Sequence, residues 1–295
     1  SVITVGTFDG LHAGHLQLIN EMILQSKKLG IPNVLVTFYP HPRDVVSDDN
    51  KVKVLSTLEE KLIILETLGV ENVFVINFTK EFSQIPYDIF LKEYIIKKLN
   101  VKSLIIGHDH RFGKNREGNE TKLKEFAITN GFEIVSVSSQ SIEGQVVSST
   151  KIRHCLLNCD IELANKYLQK RYYIAGIVVK GSQRGRVLGF PTANIRPADE
   201  KLLPKTGVYA VSCKIENKTY YGMMNIGNRP TFDLLIEPVI EINLFKFNLN
   251  IYDKFAWVEI YKFIRDEKKF NSKEELIEQL HSDRIEIEKY ISLIN

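Results

Sequence analysis

The sequence predicts a two-domain α/β protein, in which a doubly wound parallel sheet is followed by a small antiparallel β-barrel or sandwich with a C-terminal helix. Up to about residue 150, short runs rich in Val, Ile and Phe alternate with amphipathic helical stretches. After about residue 170, strand-like runs alternate apolar with polar residues. The length of 295 residues exceeds the ~100–200 residues usual for one domain. We expect domains at residues 1–168 and 169–295.

Five β-branched and aromatic runs in the first half are expected to be buried parallel strands. They are Val2–Val5, Asn33–Phe38, Val73–Phe78, Ser103–Gly107 and Glu133–Val137. Because helical stretches separate them, the order strand, helix, strand predicts a doubly wound sheet. Ligands of such sheets bind beyond the carboxyl ends of the strands.

Two helices of the first half have clear sequence signals. The first has Leu16, Ile19 and Ile23 on one face and ends at Gly30. The second is expected to open with a capping box from Ser56 to Glu59 and to direct Leu62 and Leu65 inward.

The second half has the pattern of antiparallel strands with one solvent-facing side. Val211–Ile215 and Ile240–Leu244 alternate apolar with polar residues, and Glu216 to Lys218 resembles a hairpin turn. A capping box from Ser272 to Glu275 predicts the start of a final helix.

Composition excludes several classes of function. A net charge of +3 is too small to indicate a nucleic-acid groove. No apolar run approaches the ~20 residues that span a bilayer, and the N-terminal segment lacks the blocks of a signal peptide, so the cytoplasm is the expected location. We interpret the three cysteines as reduced packing residues. The oligomeric state stays open.

A glycine-rich turn, "GTFDGLHAGH", follows the first predicted strand. Gly6, Gly10 and Gly14 allow the backbone to approach a phosphate, and the next helix offers free N–H groups and a positive dipole end. His12 and His15 add donors at the same place. The turn matches neither a Walker A loop nor a dinucleotide fingerprint. The alternative is a turn with two incidental surface histidines.

The same turn resembles the signature of the adenylyltransferase module of bacterial bifunctional riboflavin kinase/FMN adenylyltransferases, also called FAD synthetases. Four further segments resemble motifs of this family and follow in its order. They are FYPHP (38–42), GHDHRFG (107–113), VSSTKIR (147–153) and GRVLGFPTANI (185–195), the last in the riboflavin kinase module.

The resemblance implies the roles of the first site. His12 and His15 would contact the ATP phosphates, and Arg153 would close over them. The other nucleotide-binding positions would be Gly6, Phe8, Asp9, His41, Ser148, Ser149 and Thr150, and the flavin-side positions would be Asp109, Phe112 and Gly113. Two alternatives stay open: residues 148–150 could cap a helix, and His108, Asp109 and His110 could bind a metal.

The resemblance also implies a second site with a general base. Glu241 projects from a predicted strand on the side opposite its apolar neighbours. It would be that base, although spacing alone favours an ordinary solvent-facing glutamate. Thr192 and Asn194 would bind Mg²⁺ with neutral oxygens. Gly185, Gly189 and Pro191 would fold over the nucleotide as part of a basic flap, and Arg265 would lie near the flavin.

These expectations define a bifunctional enzyme that uses Mg²⁺ in both modules. One module would convert riboflavin and ATP to FMN and ADP, and the other FMN and ATP to FAD and pyrophosphate. Small molecules are the expected partners, with no nucleic acid or membrane. The alternatives are a nucleotidyltransferase for another phosphorylated metabolite and a flavin-binding regulator without turnover.

Overall fold

The computed structural model describes residues 1–47, 51–107, 113–114, 117–181, 185, 188–216, 218–230 and 236–294. The chain divides into two compact units, Ser1–Ser149 and Thr150–Asn295. The second unit therefore begins with two helices that end by residue 168. Our domain boundary at residues 168 and 169 remains a prediction.

The first unit is built on a five-stranded parallel sheet, as predicted. Its strands are β1 (Val2–Val5), β2 (Asn33–Tyr39), β3 (Asn72–Asn77), β4 (Ser103–Gly107) and β5 (Glu133–Val137). The spatial order is β3-β2-β1-β4-β5, with every pairing parallel. A two-stranded hairpin, β6 (Ser141–Ile142) with β7 (Gln145–Val146), lies outside this sheet.

Helices lie between the strands of the sheet. They are α1 (Ala13–Leu29), α2 (Pro42–Val46), α3 (Leu58–Thr67), α4 (Lys80–Ser83), α5 (Tyr87–Phe90), a π-helical turn (Leu91–Ile96) and α6 (Glu120–Asn130). Helix α1 ends as predicted at Gly30, which has the left-handed φ of 65° that favours glycine at a C-cap.

Both faces are buried at the central strands β1, β2 and β4, which are continuous apolar runs. The edge strands β3 and β5 are largely half-buried or exposed, so the prediction of burial was wrong for them, because each has a neighbouring strand on one side only. Val2 and Leu35 face one side and pack with Met22 of α1. Ile3 and Val34 face the other side and pack with Leu91 and Ile95. This arrangement directs the chemistry to the carboxyl edge of the sheet.

The capping box of α3 begins one residue later than predicted. The Thr57 hydroxyl accepts from the Glu60 N–H at 3.2 Å, and the Glu60 carboxylate accepts from the Thr57 N–H at 2.9 Å. Ser56 instead accepts from the Gly10 N–H at 3.1 Å. Leu65 is buried as expected, but Leu62 is exposed. The prediction was wrong here because Ser56 and Thr57 both have a glutamate three residues later.

The second unit is a closed antiparallel barrel, which resolves the choice between barrel and sandwich. The barrel order is β10-β11-β12-β9-β8-β13, with β10 paired to β13. Its strands are β8 (Tyr172–Val179), β9 (Ala193–Pro197), β10 (Gly207–Ile215), β11 (Lys218–Pro230), β12 (Ile236–Leu244) and β13 (Phe255–Arg265). The helices are α7 (Ser149–Leu157) and α8 (Ile161–Leu168), which precede the barrel, and α9 (Lys273–Ile294), which follows it.

Strand β10 has the predicted solvent-facing side at Lys214, which is exposed, but not at Ser212. Ser212 is only 2% exposed. Farther along the same strand, Val208 and Ala210 share a cluster with Ile287 and Ile291 of α9. The prediction is therefore confirmed at Lys214 and wrong at Ser212, because an alternating pattern identifies the apolar face of a strand but does not show what packs on its other face.

The two local signals of the second unit are largely confirmed. Ile215 pairs with Lys218 across the predicted hairpin turn. The Ser272 hydroxyl accepts from the Glu275 N–H at 3.1 Å, as a capping box requires. The Glu275 carboxylate accepts from the Asn271 N–H at 2.9 Å instead of from Ser272. Only half of the predicted box is therefore formed.

Candidate active sites

The glycine-rich turn lies at the point where the strand order of the sheet reverses. Strand β1 pairs with β2 on one side and with β4 on the other, so connections on its two sides lead in opposite directions. In doubly wound sheets this topological switch point is where ligands bind. The turn ends at His12, the N-cap of α1.

His12 and His15 form one stacked pair at the start of α1. Their ring centroids are 3.7 Å apart and their planes differ by 17°. The Phe8 ring, which is buried, packs edge-on against His15 with centroids 5.2 Å apart. The first turn of α1 contains no acidic residue, so nothing there offsets the positive end of the helix dipole. The pair therefore borders a site suited to an anion.

The turn itself has an unusual backbone conformation. Phe8, Gly10 and Leu11 have left-handed φ values of 48°, 83° and 47°. Such values cost ~1–3 kcal/mol each at non-glycine residues, so the surroundings of Phe8 and Leu11 must stabilise them. A Cβ at Gly6 would come within 3.2 Å of the Phe8 ring. The phosphate-site loop (residues 6–12) is thus a constrained segment.

Asp9 fixes this loop to two other segments. Its carboxylate accepts from the Leu55 and Ser56 N–H groups at 2.8 and 3.1 Å. Its carbonyl oxygen accepts from the Ser149 hydroxyl at 3.0 Å. The structure therefore brings together the predicted residues Asp9 and Ser149, and both hold the loop in place.

The sequence analysis missed Lys61, which lies beneath the loop. Its ammonium donates to the Thr7 carbonyl at 2.6 Å and to the Thr37 hydroxyl at 3.3 Å. Burial lowers the pKa of Lys61 to about 8, and the charge of Asp9 opposes this shift. The available signal was its position four residues before Leu65, on the inward face of α3.

The other predicted residues of the first site are in less direct positions. The His41 imidazole caps α2 and accepts from the Arg43 N–H at 3.2 Å. Ser148 is half-buried, and Thr150 and Arg153 lie on α7 in the second unit. Gly113 has a φ of 75°, and a Cβ there would come within 2.5 Å of the Tyr87 nitrogen.

The flavin-side prediction falls mostly outside the residues that the structure describes. Asp109 and Phe112 lie in the segment 108–112, which is not described, as do His108 and His110 of the alternative metal cluster. Among the described residues, no three His, Cys, Asp or Glu side chains form a group that could hold a metal ion.

In the second unit, barrel register brings Glu241 and Asn194 together. Glu241 of β12 pairs with Asn194 of β9 on one side and with Asn225 of β11 on the other. Thr192 directly precedes β9. Three residues predicted for base and metal binding therefore come from two adjacent strands and the segment before one of them.

Two cavities of the barrel share Thr192. The first has a volume of about 360 Å³ and contains Glu241 and Arg265. Its remaining walls are largely apolar and include Phe190, Val208, Met223, Phe270, Leu276 and Leu280. The second, of about 450 Å³, is lined by Pro191, Ala193 and the segment 247–252. The Asn243 amide donates to the Pro191 carbonyl at 2.7 Å and so anchors the wall between them.

The predicted glycine-rich flap packs closely on this region where it is described. A Cβ at Gly181 would overlap the Asn194 amide, and one at Gly185 would overlap the Phe190 carbonyl oxygen. Gly189 has a left-handed φ of 82°. Arg184 and Arg186 of the basic flap lie outside the described residues.

Arg265 lines the first cavity but is bound by a partner that the sequence analysis missed. Its Nε and Nη2 donate to the two carboxylate oxygens of Asp283 at 2.9 and 2.7 Å. The Asp283 side chain is 2% exposed and also accepts from the Gln279 amide at 2.8 Å. The sequence feature that could have indicated a buried partner is an acidic residue on the apolar face of α9, between Leu280 and Ile287.

Comparison with known proteins matches the two halves of the chain to two different families. A family model described as FAD synthetase matches residues 1–151, and one described as riboflavin kinase matches residues 168–291. A bifunctional riboflavin kinase/FMN adenylyltransferase of Buchnera aphidicola is 40% identical, covering 100% of this chain and 95% of the relative. The protein of the same name from Bacillus subtilis is 38% identical, with 99% and 93% covered.

A solved structure shares the whole architecture. It is described as a macrolide-efflux protein from Streptococcus pneumoniae, and it superposes with a TM-score of 0.88 at 31% identity over 96% of this chain and 92% of that one. Within the described residues of our chain, no helix has both the length and the apolar character needed to cross a membrane. From the two family models and the full-length relatives, the chain belongs to the bifunctional riboflavin kinase/FMN adenylyltransferase family.

Proposed function

We propose that the two activities of this chain, riboflavin kinase and FMN adenylyltransferase, use separate sites that solve different chemical problems. The observation that carries this proposal is the contrast between the two sites. The stacked His12 and His15 border an anion site with no carboxylate in the first turn of α1. Glu241 lines a largely apolar cavity beside polar Thr192.

Adenylyl transfer in the first unit requires no general base. The attacking group is the phosphate of FMN, whose second pKa of ~6 leaves it ionised at neutral pH. Catalysis then consists of holding two anions together and stabilising the charge that develops as pyrophosphate leaves ATP. His12 and His15 donate to the ATP phosphates, and Arg153 closes over them in this proposal.

The nucleotide-binding roles in the first unit follow from the same chemistry. Asp9 and Ser149 hold the loop in the conformation that accepts the triphosphate, as their hydrogen bonds support. We assign the remaining nucleotide contacts to Gly6, Phe8, His41, Ser148 and Thr150, with Phe8 acting through its packing on His15. We assign Asp109, Phe112 and Gly113 to the flavin side.

Phosphorylation of riboflavin in the second unit does require a base. The nucleophile is a neutral primary alcohol, and its proton must leave during attack on the γ-phosphate of ATP. We assign Glu241 as the group that accepts this proton. Its pairing with Asn194 fixes the carboxylate-bearing strand relative to the residues that would hold the metal.

The donor set of the second unit fits Mg²⁺. Thr192 and Asn194 offer a hydroxyl and an amide oxygen, and neutral oxygens of this kind suit a hard cation that keeps several waters and shares ATP phosphates. When bound, Mg²⁺ would neutralise charge on the transferred phosphoryl group. The chain's own task is to orient the alcohol, the base and the phosphates.

The two cavities of the barrel suit the two substrates. The flavin ring system is large and apolar, and the 360 Å³ cavity offers aromatic and aliphatic walls with Arg265 at its side. ATP would occupy the 450 Å³ cavity, which Pro191 lines. Gly185, which lines the first cavity, and Gly189 would fold over the nucleotide from that side. Thr192 borders both cavities, so it would lie close to the phosphoryl group as this group passes from ATP to riboflavin.

We place the protein in the cytoplasm, because both reactions consume ATP and the three cysteines are unpaired.

The test is chromatographic separation of flavins after incubation with ATP and Mg²⁺, starting once from riboflavin and once from FMN. We expect FMN and then FAD from riboflavin, and FAD with pyrophosphate from FMN. Chelation of the metal should stop product formation. Absence of FMN from the riboflavin reaction would remove the kinase assignment, and absence of FAD from the FMN reaction would remove the other.

A further inference from the structure

Lys61 is a buried cation that the two reactions do not obviously need. Its side chain is inward on α3, and the residue is only 6% exposed. Burying an ammonium group is costly unless it gains strong partners. Its hydrogen-bond partners are the uncharged Thr7 carbonyl at 2.6 Å and Thr37 hydroxyl at 3.3 Å. Because neither carries a negative charge, these hydrogen bonds alone do not explain why a lysine is buried here.

The position of the ammonium gives that reason. Thr7 is the first residue after Gly6 in the phosphate-site loop, and Thr37 is near the carboxyl end of β2. The Thr37 hydroxyl also donates to the Thr7 carbonyl at 3.2 Å. Lys61 therefore joins α3, β2 and the loop directly upstream of the left-handed residues Phe8 and Gly10.

Asp9 explains why a positive charge is useful there. Its carboxylate is 3% exposed and lies in the same loop as His12. A buried negative charge beside a site for two phosphates repels the substrates. The Lys61 ammonium interacts favourably with Asp9 and offsets this repulsion. Asp9 can then hold the loop through its bonds to Leu55 and Ser56 without weakening the site.

We infer that Lys61 is a positioning residue for adenylyl transfer, which holds the phosphate-site loop and offsets the charge of Asp9 at the expense of the stability of the first unit. The inference rests on the proposed FMN adenylyltransferase function of this unit. The inference can be distinguished from a packing role by stability. A residue that served packing alone would stabilise the fold, whereas a buried positioning lysine is expected to destabilise it.

The Lys61→Met variant tests this inference in the full-length protein. Methionine has a similar length and no charge, and Thr37 continues to donate to the Thr7 carbonyl. We expect kcat for FAD formation from FMN to fall by about tenfold, less than the ~10²–10³-fold for loss of a donor that touches the reacting group, because Lys61 acts through the loop. We expect Lys61→Arg, which keeps the charge, to restore most of this loss. FMN formation in the second unit should be unchanged in both.

Thermal unfolding of the same variants distinguishes positioning from packing. The melting temperature of the first unit in Lys61→Met should equal or exceed that of the unsubstituted protein. Lys97→Met is the matched control, because Lys97 is exposed and pairs with Glu93 on the surface. It should leave FAD formation unchanged and lower the unfolding free energy by about 0.5 kcal/mol or less.

Two results would contradict the inference, and a third would contradict the proposed FMN adenylyltransferase function on which it rests. FAD formation at the unsubstituted rate in Lys61→Met overturns it, and so does a loss of activity that accompanies a lower melting temperature. If the unsubstituted protein makes no FAD, the proposed function itself fails. Should the methionine variant not fold, the pH profiles of the unsubstituted protein and Lys61→Arg decide: only the former should lose FAD formation as pH rises through about 8.

Discussion

The imidazole rings of His12 and His15 lie face to face, 3.7 Å apart, at the first turn of α1. Stacking holds the two rings together as one unit at the N-terminal end of the helix, where the free N–H groups and the positive end of the dipole also favour an anion. The two histidines are therefore expected to act together on one anionic ligand.

Substitution of both histidines should separate the two activities. In the variant with His12→Ala and His15→Ala, we expect FAD formation to fall by about 10²-fold or more, since two oriented donors to the phosphates are lost. FMN should accumulate when riboflavin and ATP are supplied. Chromatography of the flavins measures both products. Equal loss of FMN and FAD would contradict separate sites.

Substitution of the proposed base should have the opposite effect. Glu241→Gln keeps the size of the side chain and removes its ability to accept a proton. We expect FMN formation to fall by about 10²–10⁴-fold, the usual contribution of a general base. FMN supplied from outside should still become FAD. Unchanged turnover of riboflavin would remove Glu241 from its role.

The Arg265–Asp283 pair should stabilise the second unit. Asp283→Asn leaves a mostly buried guanidinium without its carboxylate, and we expect the free energy of unfolding to fall by about 2–3 kcal/mol. The KM for riboflavin should rise, because Arg265 lines the cavity. Disruption of the exposed Lys97–Glu93 pair, at 2.6 Å on the surface, should cost about 0.5 kcal/mol or less. Similar costs for the two pairs would argue against this interpretation.

Gly113 should tolerate no side chain. Gly113 and Gly131 have nearly the same left-handed φ, 75° and 74°, but only at Gly113 does a Cβ meet backbone atoms, those of Tyr87. We expect Gly131→Ala to cost about 1 kcal/mol. Gly113→Ala should cost more and should lower FAD formation while FMN formation continues. Denaturant unfolding of both variants provides the comparison.

The pH dependence of stability should reveal the buried Lys61. Its pKa in the folded protein, about 8, is below the ordinary value of 10.5. Between these values the unfolded chain binds a proton that the folded chain does not, so stability rises with pH. The difference in unfolding free energy between Lys61→Met and the unsubstituted protein should therefore narrow by roughly 2 kcal/mol from pH 7.5 to pH 10. If the unfolding free energies of the two proteins changed in parallel with pH, burial would not lower the pKa of Lys61.

The sequence predicts those parts of the fold that depend on local pattern. The bounds of the five parallel strands were correct within a residue, because short β-branched runs between helical stretches mark them in the sequence. Their burial was correct for the central strands β1, β2 and β4 but not for the edge strands β3 and β5. The glycine-rich turn was correctly placed after β1. The solvent-facing side of β10 was predicted correctly at Lys214 and wrongly at Ser212, because an alternating pattern does not show what packs on the polar face of a strand.

The parts of the sites that were missed are long-range polar contacts. Lys61 meets Thr7 across 54 residues, and Arg265 meets Asp283 across 18. Neither pairing has a spacing rule, because the fold alone decides which charged side chains become buried together. The capping box of α3 shows the same limit at short range, since the choice between Ser56 and Thr57 depends on the partner that Gly10 provides.

The closed barrel has a consequence for how the second site can be lost. Because Glu241 and Asn194 are direct partners across β12 and β9, a shift of either strand by one position would turn one of them to the opposite side while most backbone pairing survived. An insertion within β12 should thus abolish phosphorylation and also destabilise the barrel, because the same shift moves the buried Ile240 and Ile242 out of the core. Tolerated length variation is expected instead in the connections between strands.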